Sequence, residues 1–217
     1  MDVLYNSGTV LPETSSEEEL KLAEEGLITV TATPIDNPDA EYLASTTKID
    51  ISGLPFDSTH TTISDGTLTV TFSAPVTKRG PVPDGWLTWS SPPFSEDPNP
   101  DVLYAIGQTT LTMDLSRYVR TFGFELEPNP LSPLIFTVEF YDDGTLVESI
   151  TRQVNGNAGA RLFARTGDPI NRVVITGPAD FAIAQVRYLI TISPEAQAFV
   201  LALVLLLLIV LSVILLA

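Results

Sequence analysis

The chain has 217 residues, with 27 Asp and Glu against 11 Lys and Arg, for a formal net charge of −16. Its closest approach to a basic cluster is Lys78-Arg79, which argues against a nucleic-acid partner, since phosphate binding needs grouped cations. No cysteine and one histidine, His60, exclude disulfides, thiolate chemistry and a three-histidine metal site.

The negative charge is unevenly placed. Residues 1–60 carry 12 acidic and 2 basic residues, a local net of −10. Within them, residues 1–26 form an acidic arm. Ser16 and Glu19 fit a capping box and Gly26 a C′ position, so Ser15–Gly26 reads either as a short helix or as a solvated arm.

From Leu27 the hydrophobic period becomes two, and residues 27–192 read as one domain. Strands are predicted at 27–33 and 46–52. A third, Thr67–Ser73, sets Leu68, Val70 and Phe72 on one face and threonines on the other, after an Asp65-Gly66 turn. Further strands follow at 102–106, 109–115, 119–126, 134–141, 145–154, 160–164, 172–176 and 181–192. Asp142-Asp143-Gly144 and Asn155-Gly156-Asn157 supply turns. Short strands with frequent turns and no long helical period predict an all-β fold, an antiparallel, jelly-roll-like sandwich, with a closed barrel as the rival.

Ala74–Pro100 breaks the pattern, with seven prolines around Trp86 and Trp89. Proline donates no ladder hydrogen bond, so this segment reads as a long loop and as the candidate contact surface.

Two stretches resemble a known family. Val119–Asn129 (VRTFGFELEPN), and the region from Phe136–Tyr141 through Val174–Tyr188 with its Phe-Ala-Ile-Ala-Gln element, are similar to bacterial surface proteins of the PEP-CTERM, exosortase-sorted type. The resemblance spans roughly residues 67–188 and implies an exported β-sandwich at the cell surface. The chain departs from the family's sorting signal: Ala196 follows Pro194-Glu195, and no basic cluster follows the apolar tail.

Several residues are candidates for chemistry. Trp86, Trp89 and Tyr104, near Phe94, are the ligand-binding candidates, because exposed aromatics stack on sugar faces. Set three apart on a strand, the tryptophans would point to opposite faces and only one would be exposed; the alternative is that these aromatics plug the end of the sandwich core. Asp97, Asn99 and Asp101 open like a calcium loop, but Val102 and Gln108 fail the later positions, so no metal is assigned. Glu125 and Glu127 would share a strand face about 7 Å apart, a spacing open to glycosidic acid–base work. With Phe122, Phe124 and Leu126 facing the core, the glutamates are expected on the solvated face. His60 lacks any nucleophile context.

After a linker at 193–197, Ala198–Ala217 carries no charge and only Ser212 as a polar residue, which explains the positive mean hydropathy of so acidic a chain. Twenty residues at about 1.5 Å each cross the roughly 30 Å of a bilayer core. This predicts a transmembrane helix held in lipid through Phe199, Leu203, Leu207, Val210 and Ile214. The opening residues lack a basic stretch followed by an apolar run, which leaves the cytoplasmic side open, whereas the resemblance points to the cell surface. The sequence therefore reads as a membrane-anchored, non-enzymatic surface or envelope protein without cofactors, its partners the bilayer and glycans or other envelope proteins. A lectin-like module is the alternative, and a glycan-cleaving enzyme the third reading.

Overall fold

The computed structural model describes residues 33–190. The acidic arm, the linker 193–197 and the apolar segment 198–217 lie outside the described residues, as does most of the strand expected at 27–33. Among the described residues no helix is long and apolar enough to cross a membrane.

Ten strands and one short helix follow in the order β1 (Thr33–Ile35), α1 (Ala40–Ser45), β2 (Thr47–Lys48), β3 (Thr59–Ser64), β4 (Thr69–Arg79), β5 (Val102–Ala105), β6 (Thr110–Pro128), β7 (Pro133–Asp142), β8 (Thr145–Asn155), β9 (Arg161–Thr176) and β10 (Phe181–Ile190). All pairings are antiparallel. The expected turns are present. Asp143 and Gly144 both have positive φ, 45° and 84°, and close the β7–β8 hairpin, a conformation whose twist matches the flanking strands. Asp65 Oδ1 accepts from the amides of Thr67 and Leu68 and closes β3–β4.

Two strands are longer than the sequence pattern predicts. The segments 109–115 and 119–126 are one strand, β6, and 160–164 and 172–176 are one strand, β9. Their mutual register shifts between Asp114 and Val119 and again between Val119 and Thr121, and bulges of this kind bend a strand. The first half of β6 pairs with β4 and its second half with β10, while β9 stays beside it throughout. β9 in turn leads from β1 at its start to β7 at its end. The bent strands thus carry a continuous sheet around one core, in which Leu68, Val70, Phe122, Phe124, Phe136, Phe140, Phe163, Phe181 and Ile183 are buried. β5 also bridges β4 and β10, so β10, β5, β4 and β6 close a local ring.

Period-two patterning did not reveal α1. Asp39 caps it by accepting from the Tyr42 amide at 2.8 Å, which satisfies one orphan donor of the first turn. Tyr42 lies over the sheet at Gly123, where a Cβ would run into the Ala164 side chain and the Tyr42 hydroxyl. Glycine is required there by close approach, not by backbone conformation.

Candidate functional site

The half of β6 that carries the glutamates alternates Phe122, Phe124 and Leu126 toward the core with Gly123, Glu125 and Glu127 on the opposite face. Pairing places Ala184 and Leu162 either side of Glu125, and Ala182 beside Glu127 with Tyr104 next in the row. This second face therefore carries Gly123, Ala182 and Ala184 beside Leu162, Tyr104 and two carboxylates, and it is covered.

The cover is the Pro-rich segment, shorter than expected: residues 74–79 belong to β4, and residues 80–101 form a strap across the sheet. Its backbone is fastened along the edge of β9, where Ala160 N donates to Trp89 O and Leu162 N to Phe94 O, both at 3.2 Å. Val82, Trp86 and Trp89 pack with Val102, Ala160, Ala182 and Ala184 in a small apolar cluster of their own. Small side chains on the sheet leave room for two indoles to pack against it.

The indole N–H groups are spent on the glutamates. Trp89 Nε1 donates to Glu125 Oε2 at 2.7 Å, and Trp86 Nε1 to Glu127 Oε2 at 2.6 Å. The other carboxylate oxygens are also engaged. Glu125 Oε1 accepts from the Glu96 amide, and Glu127 Oε1 from Thr88 Oγ1 at 3.2 Å and the Gly159 amide at 3.3 Å. Glu125 and Glu127 have no exposed surface, and Trp86 and Trp89 are 7% and 1% exposed. Two expectations are corrected here. The glutamates do not face solvent, because the strap supplies donors to all four oxygens. The tryptophans do not point to opposite faces, because their segment is not a strand.

Burial raises both carboxyl groups to about 7, against the opposing pull of the indole and backbone donors. Glu96 goes the other way. Burial pushes it up, but the hydrogen bonds and charge of Arg187, with Lys48, hold it below the ordinary carboxylate value. The Arg187 guanidinium binds both Glu96 oxygens at 2.7 Å, and its Nη1 reaches the Thr46 and Leu43 carbonyls at 3.3 and 3.4 Å. One arginine of β10 thereby ties the strap to the end of α1. Neither Arg187 nor Glu96 was singled out from the sequence, because nothing local to either position announces a partner 91 residues away.

Where the strap meets the end of β6 there is a groove of about 340 Å³, lined by Trp86, Leu87, Thr88, Tyr104, Glu127, Asn129 and Leu131 among others. Trp86 and Tyr104 meet edge to face, ring centroids 5.1 Å apart. The Tyr104 hydroxyl donates to Asp180 Oδ2 and accepts from Asn129 Nδ2 at 3.0 Å. Leu87 and Leu131 flank the groove at 64% and 57% exposure. The structure thus brings Trp86 and Tyr104 to one groove, with Trp89 deeper under the strap.

The other candidates lie apart from this groove. Asp97 Oδ1 accepts from the Asn99 amide, and Asp101 pairs with Lys78 at 2.6 Å. Among the described residues no three His, Asp or Glu side chains are grouped to hold a metal. His60 lies on β3, its Nε2 2.6 Å from Ser58 Oγ.

No protein-family model and no curated protein matches the chain. Among solved structures it is similar to TmCBM61 in complex with β-1,4-galactotriose, at 11% identity over 58% of this chain and 90% of that one, with a TM-score of 0.36. It is also similar to CsCBM6-3 from Clostridium stercorarium in complex with cellobiose, at 11% identity over 69% and 94%, TM-score 0.28. A third is a glycoside hydrolase family 43 arabinoxylan arabinofuranohydrolase from Bacillus subtilis in complex with cellotetraose, at 10% identity over 54% and 24%, TM-score 0.31. No residue of this chain takes a role from them.

The raised carboxyl groups predict a pH dependence. A folded-state value of about 7, above the ordinary 4.5, means that the native state holds these protons more tightly than the unfolded chain. Their stabilising contribution is full below the ordinary value and is lost as pH rises through about 7. Thermal unfolding across this range should show the melting temperature falling toward alkaline pH. The Glu125→Gln/Glu127→Gln double variant should show a shallower fall. An unchanged slope in that variant would refute the assignment.

Proposed function

We propose that the chain is a non-enzymatic, jelly-roll-like β-sandwich held at a membrane by a single helix over residues 198–217, and that its groove binds a glycan at the cell surface. The observation that carries the binding reading is the groove itself. An edge-to-face aromatic pair, two exposed leucines and the polar groups of Asn129 and Thr88 converge on about 340 Å³. Apolar surface of this kind suits the C–H faces of a sugar ring, while hydroxyls need the few oriented polar groups beside it. The wall formed by Gly85–Thr88 is held in place from beneath by Glu127, so its shape exists before a ligand arrives, which lowers the cost of binding.

The non-catalytic reading is supported by what Glu125 and Glu127 already do. Acid–base cleavage of a glycosidic bond requires two carboxyl groups with access to the bond and to water. These two are buried acceptors for the strap. Attachment through Phe199, Leu203, Leu207, Val210 and Ile214 is supported by the uncharged 20-residue run, and a surface location by the resemblance of Val119–Asn129 and Phe181–Gln185 to exported bacterial proteins.

Two experiments test this reading. On a glycan array, wild-type protein should bind at least one oligosaccharide. Leu87→Ala should weaken that binding several-fold while shifting stability by no more than about 0.5 kcal/mol, as expected of an exposed position. Trp86→Ala is less informative because it also releases the strap. An array without hits, or a Leu87→Ala variant that binds normally, would reject the groove. For the anchor, full-length protein should stay with membranes through alkaline carbonate, and a Leu207→Arg/Val210→Arg variant should be released, since each arginine at a helix centre costs roughly 2.5–3.5 kcal/mol. Release of the wild type would reject the span.

A further inference from the structure

Every side-chain N–H and O–H that lines the groove is already committed within the protein. Trp86 Nε1 donates to Glu127 Oε2 at 2.6 Å, and Thr88 Oγ1 lies 3.2 and 3.3 Å from Glu127 Oε1 and the Gly156 carbonyl. The Tyr104 hydroxyl donates to Asp180 Oδ2. Both protons of the Asn129 side-chain amide are spent, on the Tyr104 oxygen at 3.0 Å and on Asp180 Oδ1 at 3.4 Å. The other lining residues, Leu87 and Leu131 among them, have no side-chain donor. The backbone follows the same pattern at four lining positions. The Asn129 and Gly156 amides donate to the Asp180 and Ser132 carbonyls, and Pro83 and Pro128 have no N–H.

The acceptors stand differently. Asn129 is exposed, and its Oδ1 receives no hydrogen bond from the described residues. Charge points the same way. Glu127 supplies the one carboxyl group of the lining, and no Lys, Arg or His is found among the described lining residues. Asp180 stands directly behind Tyr104 and Asn129. Arg79 comes close to Gly85, but its guanidinium is paired with Asp57 at 2.8 Å and lies over the Phe56 ring.

This inventory decides the charge class of the ligand. The oxygens of a carboxylate, sulfate or phosphate accept hydrogen bonds and donate none. In this groove they would meet no free side-chain donor and no cation, while losing their own hydration. A sugar hydroxyl donates as well as accepts. It can give its proton to Asn129 Oδ1 while the ring lays its C–H face on Trp86 and Leu87. Discrimination of this kind works through what the site withholds from the wrong ligand.

We propose that the groove selects neutral glycans, read through their hydroxyl donors, and rejects glycans that carry carboxylate, sulfate or phosphate on the bound ring. This selectivity rests on the groove being the glycan site proposed above, and adds the ligand's charge class to it.

The test places full-length protein on an array of matched pairs. Lactose stands beside its sialylated and sulfated forms, cellobiose beside its uronic acid, and methyl-esterified beside free oligogalacturonate. Wild type should bind at least one neutral member at least tenfold more tightly than its acidic partner. The preference should persist in about 1 M salt, where the Debye length is about 3 Å and the net charge of −16 no longer acts at a distance. Leu131→Lys puts a cation on the edge of the groove and should raise the acidic-to-neutral binding ratio at least threefold in low salt. Leu131→Gln, similar in size but uncharged, should leave that ratio as in the wild type.

Acidic members bound as tightly as neutral ones, with binding still weakened by Leu87→Ala, would overturn the selectivity and leave the groove standing. A preference that disappears in high salt would overturn it too, because repulsion by the whole chain would then explain it. The same holds if Leu131→Lys and Leu131→Gln give one ratio. An array without hits, or binding indifferent to Leu87→Ala, would remove the groove and its selectivity together.

Discussion

Glu125 and Glu127 are the acceptors on which the second face of the sheet depends. A β-sheet with one face in the core ordinarily leaves the other to water. Here that other face carries carboxyl groups between alanines, and the strap covering it is secured by two indole N–H bonds of 2.6 and 2.7 Å. Burying a carboxyl group is costly unless it is well bonded or neutral, and burial moves both of these toward the neutral form at mild pH. Hydrogen-bond acceptors and packed rings act together: the indoles bury apolar area against Ala182 and Ala184, and their N–H groups donate to the two glutamates.

The consequences extend along the strap. Its first half ends in the groove, with Glu127 linking Trp86, Thr88 and the 156–159 turn. Its second half is bound to Glu125 through Glu96 N and to β10 and α1 through the Glu96–Arg187 pair. That ion pair is largely buried, with the two side chains 15% and 11% exposed, and removing one partner would strand a charge. The candidate groove is thus one edge of a docked segment, placed by these interactions.

The sequence disclosed the strands whose inner faces are strictly apolar. Leu68, Val70 and Phe72, and Phe122, Phe124 and Leu126, alternate as expected and are buried as expected. The merging of the paired segments into β6 and β9 was hidden because a bulge looks like a loop when only periodicity is read. The covered face was hidden for a different reason. Period two separates two faces but does not say whether the polar one is wet, and the groups that cover it lie 36 and 41 residues upstream in an aperiodic, Pro-rich stretch. A usable signal was present nonetheless. A solvated face seldom surrounds its acids with Gly123, Ala164, Ala182 and Ala184, and small residues at such positions invite another element to approach. The bulge in β10 at Gln185, where φ is +52°, left no trace in composition at all, since a left-handed glutamine is set by register between strands.

The most direct measurement of this account is a double-mutant cycle between Trp89 and Glu125. Unfolding free energies of the wild type, Trp89→Phe, Glu125→Gln and the double variant, taken at mildly acidic pH, isolate the bond from the loss of ring area. If the indole–carboxyl contact holds the strap, the two changes are coupled by roughly 1–3 kcal/mol, the range of hydrogen bonds to buried acidic groups. Additivity within about 0.5 kcal/mol would show two independent residues, and the strap would then have to be held by packing alone.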